Sequence, residues 1–151
     1  MPNESVSETY TLVYRHSLDI KRRLPVPYRW RPKDPIEFTL TVWPKHRAGT
    51  CLRVFPPEPW AKFRAEIDAV QNIAQKPTLK RMIGSFSTSM KLDAAGRLTI
   101  PEEMAMEADI TNQVVLVGLL DRFEIWSPAR YADVQAQDSS TWKEALEALG
   151  E

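Results

Sequence analysis

The chain has 151 residues, 43% hydrophobic and 26% charged, with 20 Lys/Arg balanced by 20 Asp/Glu. That length suits one compact domain or two small ones, and zero net charge excludes a whole-molecule pull toward nucleic acid or membrane. A single cysteine, Cys51, excludes an internal disulfide and a cysteine-based metal cluster.

The opening segment, MPNESVSETY, is acidic and polar and does not read as a secretory signal. Its first eight residues carry no structural pattern and are expected to be disordered. TYTLVYRHSLD then alternates apolar and polar residues, as a half-buried strand does. A turn follows at Asp19. Pro25, Pro27 and Pro32 restrict what comes next to a short strand and about one helical turn. LTVW (Leu40–Trp43) and LRVFPPEPW (Leu52–Trp60) read as strands separated by a loop around PKHRAG. PWAKFRAEIDAVQNIA places Trp60, Phe63, Ile67 and Val70 on one helical stripe. GSFSTSMKLD is a second alternating strand, and Asp93-Ala-Ala-Gly96-Arg97 a second turn. Pro101 before EEMAMEA starts a helix, with carboxylates near the positive end of its dipole. VVLVGLL (Val114–Leu120) is the longest apolar run, far too short to span a bilayer. Ser127-Pro128 caps another helix, and TWKEALEAL opens with a capping box from Thr141 to Glu144. A soluble protein of a reducing compartment is expected.

Two stretches repeat. SLDIKRRLPVP and KLDAAGRLTIP share Leu, Asp, Arg, Leu and Pro, so Leu18, Asp19, Arg23, Leu24 and Pro27 fall on Leu92, Asp93, Arg97, Leu98 and Pro101, an offset of 74. The same offset lays Leu40–Trp43 on Val114–Val117. It then drops to 71, placing LRVFPPEPW on FEIWSPARY and three extra residues in the first copy's loop. Each copy reads strand, turn, strand, short helix, strand, strand, helix. A unit of this size cannot close a core alone, so two copies are expected to complete one another about a pseudo-twofold axis as an α+β pseudo-dimer. The expected boundaries are 13–59 for the first repeat, 60–86 for a helical linker, 87–130 for the second repeat and 131–151 for a C-terminal helical tail.

In each turn the Asp can accept backbone N–H bonds from residues ahead of it, while Gly96 supplies a positive φ. The simplest reading is a hairpin latch with a surface Asp–Arg pair worth about 0–1 kcal/mol. The copies differ in charge. Arg15, Lys21, Arg22, Arg23, Arg29, Arg31 and Lys33 are opposed only by Asp19 between residues 15 and 33, a local balance of +6. Tyr14, Tyr28 and Trp30 lie among them. Such a patch can neutralise phosphates, and an arginine can read a guanine edge; a solvated basic face around core aromatics is the competing reading. The second turn has acidic neighbours (Glu102, Glu103, Glu107), so the first copy is expected to lead and Arg23 to outrank Arg97.

Catalysis is not indicated. His16 and His46 are the only histidines, and no phosphate-cradling glycine loop, metal-ligand spacing or nucleophile elbow occurs. Asp19 and Asp93, each near an arginine, should have lowered pKa values, unsuited to general acid work. No cofactor, metal or small-molecule substrate is expected.

The two Asp-x-x-x-Arg turns, DAAGRLTIP, VVLVGLLDRFEIW and LRVFPPEPW together resemble the MraZ family of bacterial transcriptional regulators, which carry two SpoVT-AbrB-type repeats. The resemblance runs from about Val13 to Arg130. It implies a swapped-hairpin β-barrel with short flanking helices, closed rings of subunits, and binding to direct repeats ahead of the division and cell-wall gene cluster. It further implies repression, in the cytoplasm and nucleoid. DNA contact, ascribed in the family to the basic turns, falls on Lys21 and Arg23 in the first copy and Arg97 in the second; charge and proximity add Arg15 and Arg22. Asp19, Asp93 and Gly96 form the turns. Where the family's first turn carries Gly, this chain has Arg22, which puts the turn's shape in question, since a non-Gly residue at positive φ costs about 1–2 kcal/mol. A protein-interaction module on the same fold, antitoxin-like and without DNA binding, is the alternative.

Overall fold

The structure is a computed structural model and describes residues 9–151. The expectation of disorder in the first eight residues lies outside the described part. Among the described residues, eight strands and four α-helices form two pseudo-equivalent runs. The first is β1 (Val13–Ser17), β2 (Arg23–Pro25), a 3₁₀ turn (Tyr28–Trp30), β3 (Phe38–His46), β4 (Gly49–Phe55) and α1 (Pro57–Asp68). After α2 (Gln75–Ser85) come β5 (Ser87–Met90), β6 (Arg97–Thr99), α3 (Glu102–Glu107), β7 (Gln113–Gly118), β8 (Phe123–Trp126) and α4 (Pro128–Ala148).

Strand pairing interleaves the runs. The six-stranded sheet has the order β1-β7-β8-β4-β3-β5, and β2 pairs with β6 in a separate two-stranded ribbon. Among the described residues, each of these neighbouring strand pairs is antiparallel. Exchanging each strand for its counterpart in the other run gives the same order read backwards, as a pseudo-twofold axis requires. At one end of the axis Leu24 faces Leu98, with Arg23 against Thr99 and Pro25 against Arg97. At the other, Arg53 faces Glu124. The fold is therefore α+β with an antiparallel sheet. The expected barrel is not closed: β1 and β5 are the edges of the sheet, and the ribbon stands apart.

The registers also correct the repeat alignment. Arg53 pairs with Thr41, and its counterpart Glu124 pairs with Val117, so β3 maps onto β7 with an offset of 76 rather than 74. Leu40 thus corresponds to Leu116, both fully buried. The physical reason lies in the helices: the first copy has a three-residue 3₁₀ turn where the second has a six-residue α-helix. The first copy's extra residues then total five and fall in the β3–β4 hairpin. They do not make a long loop. They lengthen the strands, which carry an irregularity between Trp43 and His46 and meet at Gly49. Arg130 holds this hairpin, its Nη1 donating to the Thr50 carbonyl at 2.8 Å.

The main core lies between the sheet and the ribbon. Leu24, Val26, Trp30, Phe38, Leu40, Leu98, Ile100, Leu116, Phe123 and Ile125 are fully buried there or nearly so. On the sheet's other face, Cys51, Val115, Trp126, Tyr131 and Val134 pack beneath α4. Its counterpart α1 packs through aromatics, with Phe55 stacked on Phe63 at 5.5 Å and Trp43 edge-on to Phe63 at 5.5 Å. The sequence stripe of α1 is thus real, but the helix ends at Asp68. A bend at Asn72, whose Oδ1 accepts from the Ala74 and Gln75 N–H groups, starts α2. Thr141 does not cap a new helix. α4 runs unbroken, and the hydroxyls of Ser140 and Thr141 bond back to the Gln137 carbonyl, as exposed helical Ser and Thr can.

Arg53 and Glu124 form a half-buried ion pair, Nε to Oε2 at 2.8 Å, in which Glu124 also accepts from Trp126 Nε1 and Arg53 lies 4.2 Å from the Trp43 ring centroid. Removing one partner would strand a charge. Arg53→Ala is expected to lower stability by about 2–3 kcal/mol. Lys80→Ala, which breaks the exposed Lys80–Asp68 pair at 3.3 Å, should change it by less than about 1 kcal/mol. Urea denaturation of both variants checks the contrast.

Candidate nucleic-acid interface

Both turns close the same way. Asp19 Oδ1 accepts the N–H groups of Lys21 (2.9 Å) and Arg23 (2.8 Å), and its Oδ2 accepts from Arg23 Nε (2.6 Å). Asp93 Oδ1 accepts from Ala95 and Arg97 N–H, both at 2.9 Å, and Oδ2 from Arg97 Nε at 2.9 Å. A backbone bond, Asp19 N to Arg23 O or Asp93 N to Arg97 O, completes each loop. These bonds hold both carboxyls below their ordinary range, the backbone N–H of Arg23 or Arg97 first among the causes.

Arg22 adopts φ 58° and Gly96 φ 78°, so the two turns share one shape. The arginine tolerates the left-handed conformation because its side chain gains a partner: Nε donates to the Ile100 carbonyl at 2.9 Å. At the symmetry-related place beside the second turn, Arg31 Nε donates to the Val26 carbonyl at 2.8 Å. Its guanidinium occupies the space over Gly96, where a Cβ would meet it at 2.5 Å. A guanidinium therefore caps both equivalent carbonyls, once from within the turn and once from a distant segment. Pro25 costs the ribbon little. The bonds Val26 N to Gly96 O and Ile100 N to Arg22 O set the ladder's phase, and in an antiparallel pair the intervening residue points its amide outward.

Leu24 and Leu98 point inward, so the alternation of a strand turns Arg23, Pro25, Arg97 and Thr99 outward. The structure thus brings Arg23 and Arg97 together on one face, linked through Asp19, which Arg97 Nη1 approaches at 3.9 Å. Lys21 is exposed at the tip beside Ile20, which is 94% exposed. Arg15 is not part of this face. Its neighbour Tyr14 packs on Trp30 in the main core, whereas Arg15 lies 5.9 Å from the Tyr131 ring of α4, across the sheet.

Interleaving moves charge between the turns. Ile100, Pro101 and the start of α3, with Glu102 and Glu103, follow the strand that bonds to Arg22, so the acidic residues flank the first turn. Arg31 and Lys33, by contrast, wall a cavity with Asp93 and Gly96. The linear sequence gave the opposite pairing of charge with turn. In the linear sequence Arg31 and Lys33 belong to the basic stretch and carry no separate role; the equivalence of Val26 with Ile100 is the signal that points to them. His46 is structural, its Nδ1 accepting the Ala48 N–H at 2.9 Å and its ring edge-on to Trp126. Burial drives the Cys51 thiol pKa far upward. Among the described residues, no group of three His, Cys, Asp or Glu side chains could hold a metal ion.

The chain is thus a duplicated, interleaved α+β protein with paired Asp–Arg turns on one ribbon. Residues 85–149 match the family model described as "MraZ protein, putative antitoxin-like". A protein called transcriptional regulator MraZ from Roseiflexus castenholzii is 33% identical over 123 residues, covering 80% of this chain and 82% of that relative. Relatives of the same name from Halothermothrix orenii and Leuconostoc citreum are each 28% identical, over 91% and 90% of this chain and 96% and 93% of their own lengths. This chain belongs to the MraZ family.

Gly96→Ala, which needs positive φ and displaces Arg31, is expected to destabilise by about 2 kcal/mol. Arg22→Gly, which relieves strain but loses one bond, should stay within about 1 kcal/mol of the parent. Thermal melting separates these outcomes. Both turn carboxyls have folded pKa values below the unfolded value near 3.9, so their stabilisation is full above that value and fades as pH falls through the folded one. The double variant Asp19→Asn/Asp93→Asn should therefore lose less stability than the parent on acidification from about pH 5 to about pH 3, a difference read from urea midpoints.

Proposed function

We propose that this protein is a sequence-specific DNA-binding transcriptional regulator, a repressor of the division and cell-wall gene cluster, and not an enzyme. It acts as a ring-shaped homo-oligomer on direct-repeat operator DNA, in the cytoplasm and nucleoid. The repeats at 13–59 and 87–130 form a swapped-hairpin unit, with 60–86 and 131–151 as helical connections. No cofactor is used. Relatives named as transcriptional regulators support the general role, and no helix among the described residues is long and apolar enough to cross a membrane.

The observation that carries the DNA reading is the ribbon itself: two latched turns present Arg23 and Arg97 outward on one rigid face, with Lys21 exposed beside them. Lys21, Arg22, Arg23 and Arg97 supply phosphate attraction, and the outward arginines supply base reading. Each latch uses Nε, so an arginine can keep its bond to aspartate while its terminal nitrogens meet a base edge or phosphate. Arg15 belongs to a different surface and is left out of this interface. Unpartnered helix faces support the ring. Trp142 and Leu149 on one end of α4 are 61% and 77% exposed, as are Ile73 (89%) and Met82 (52%) around α2. Residues 57–86 hold five Lys/Arg and three Asp/Glu, whereas 128–151 hold two and five, a complementarity suited to head-to-tail contacts that close into a ring. Repetition of the ribbon around such a ring would multiply weak contacts.

The sequence ranks Arg23 far above Arg97. The symmetric ribbon and the cations beside the second turn support equal rank instead. In fluorescence anisotropy with duplex DNA from upstream of its own gene, the protein should bind tightly at low salt and weaken steeply as salt rises. Arg23→Ala and Arg97→Ala should each reduce affinity by about 10–100-fold, corresponding to about 1–3 kcal/mol per reading contact. No binding at low salt by a folded oligomer would instead support the interaction-module reading.

A further inference from the structure

The groove beside the second turn is assembled from both halves of the chain. Arg31 and Lys33 come from the segment after the 3₁₀ turn; Leu92, Asp93 and Gly96 come from the second repeat. Together they line a surface cavity of about 210 Å³, room for a phosphate group and several waters. Arg31 is fixed in place by its bond to Val26 and by packing over Gly96. Lys33 is exposed and, among the described residues, makes no ion pair. Asp93 is the carboxylate of this wall, and its oxygens are already engaged by Arg97 Nε and by two backbone N–H groups. With Asp93 balanced by Arg97, the remaining charge of the groove is positive.

We propose that this groove is a phosphodiester-binding site: it takes a backbone phosphate of the same duplex whose bases meet the ribbon. The inference rests on the DNA reading above and adds residues to it. Glycine at position 96 is then part of the site's construction. Without a side chain there, the guanidinium of Arg31 can lie against the turn backbone. At the first turn Arg22 fills the corresponding space with its own side chain, and the strand that bonds to it leads into Glu102 and Glu103. The site therefore orients the duplex across the ribbon, with its phosphate anchor on the second turn's side.

The test is the salt dependence of DNA binding for the full chain, with Lys33→Gln, Arg31→Gln and, on the exposed β3–β4 hairpin, Lys45→Gln as charge control. Loss of one phosphate contact should reduce the slope of log K against log salt by about 0.9. Lys33→Gln is expected to show that reduction with an unchanged melting temperature, and Lys45→Gln to behave as the parent. Arg31→Gln should show the same reduction, with melting used to confirm that it folds. If the parent binds and Lys33→Gln keeps the slope of Lys45→Gln, the groove proposal fails while the DNA reading stands. If the parent does not bind DNA at low salt, both fail. In a second arm, inorganic phosphate replaces chloride at matched ionic strength. Stronger displacement by phosphate than by chloride from the parent, and less so from Lys33→Gln, is expected because inorganic phosphate competes with the duplex for the groove; the same phosphate-to-chloride difference in both proteins would show that the groove holds no phosphate of the bound DNA and would overturn the proposal.

Discussion

One carboxylate per repeat holds the ribbon in shape. Asp19 and Asp93 each gather two backbone N–H groups and one guanidinium Nε within five residues. That leaves the next strand no choice of direction: its first residue is the latched arginine, its second a leucine driven into the core. Leu24 and Leu98 meet at the pseudo-twofold axis, so burial of two leucines sends two arginines to the opposite face. The geometry of the exposed surface is thus set by the hydrophobic core beneath it.

Interleaving the repeats has two electrostatic consequences. It brings cations from one repeat to the turn of the other, so a charge difference that is marked along the chain is partly evened out in space. It also exploits duplication within a single chain. A dimer of identical repeats would oppose like residues across its axis, whereas here Arg53 meets Glu124. Opposite charges at self-equivalent positions favour the internal pairing of unlike repeats over pairing of either with its own copy. The same asymmetry extends to the helices, basic after the first repeat and acidic after the second, where it favours heterologous contact between subunits in the proposed ring.

The sequence exposed the duplication, the order of elements and the turn chemistry, because each of these is local. Asp two and four residues before the amides it binds, and Gly at a left-handed position, are written in the linear pattern. Arg22 showed the limit of that reasoning. Its φ of 58° costs energy, but a bond to Ile100, 78 residues away, offsets it. The β3–β7 offset is ambiguous in the sequence because apolar strands tolerate a shift of two residues without changing which face is buried; only the pairing register reveals the shorter 3₁₀ turn and longer hairpin. Sequence proximity groups Arg15 with the turns, although its position next to the inward-facing Tyr14 puts it across the sheet. The groove of Arg31 and Lys33 depends on chain interleaving, which no linear window contains.

The central claim is that a duplex lies across the ribbon and touches the turns of both repeats. Hydrogen–deuterium exchange of the full chain, free and bound to DNA from upstream of its own gene, examines it most directly. Slowed exchange in peptides spanning both 19–25 and 93–99, with α4 beyond Asp138 unchanged, is the outcome the account requires. Protection limited to one turn, or confined to the helices, would contradict it.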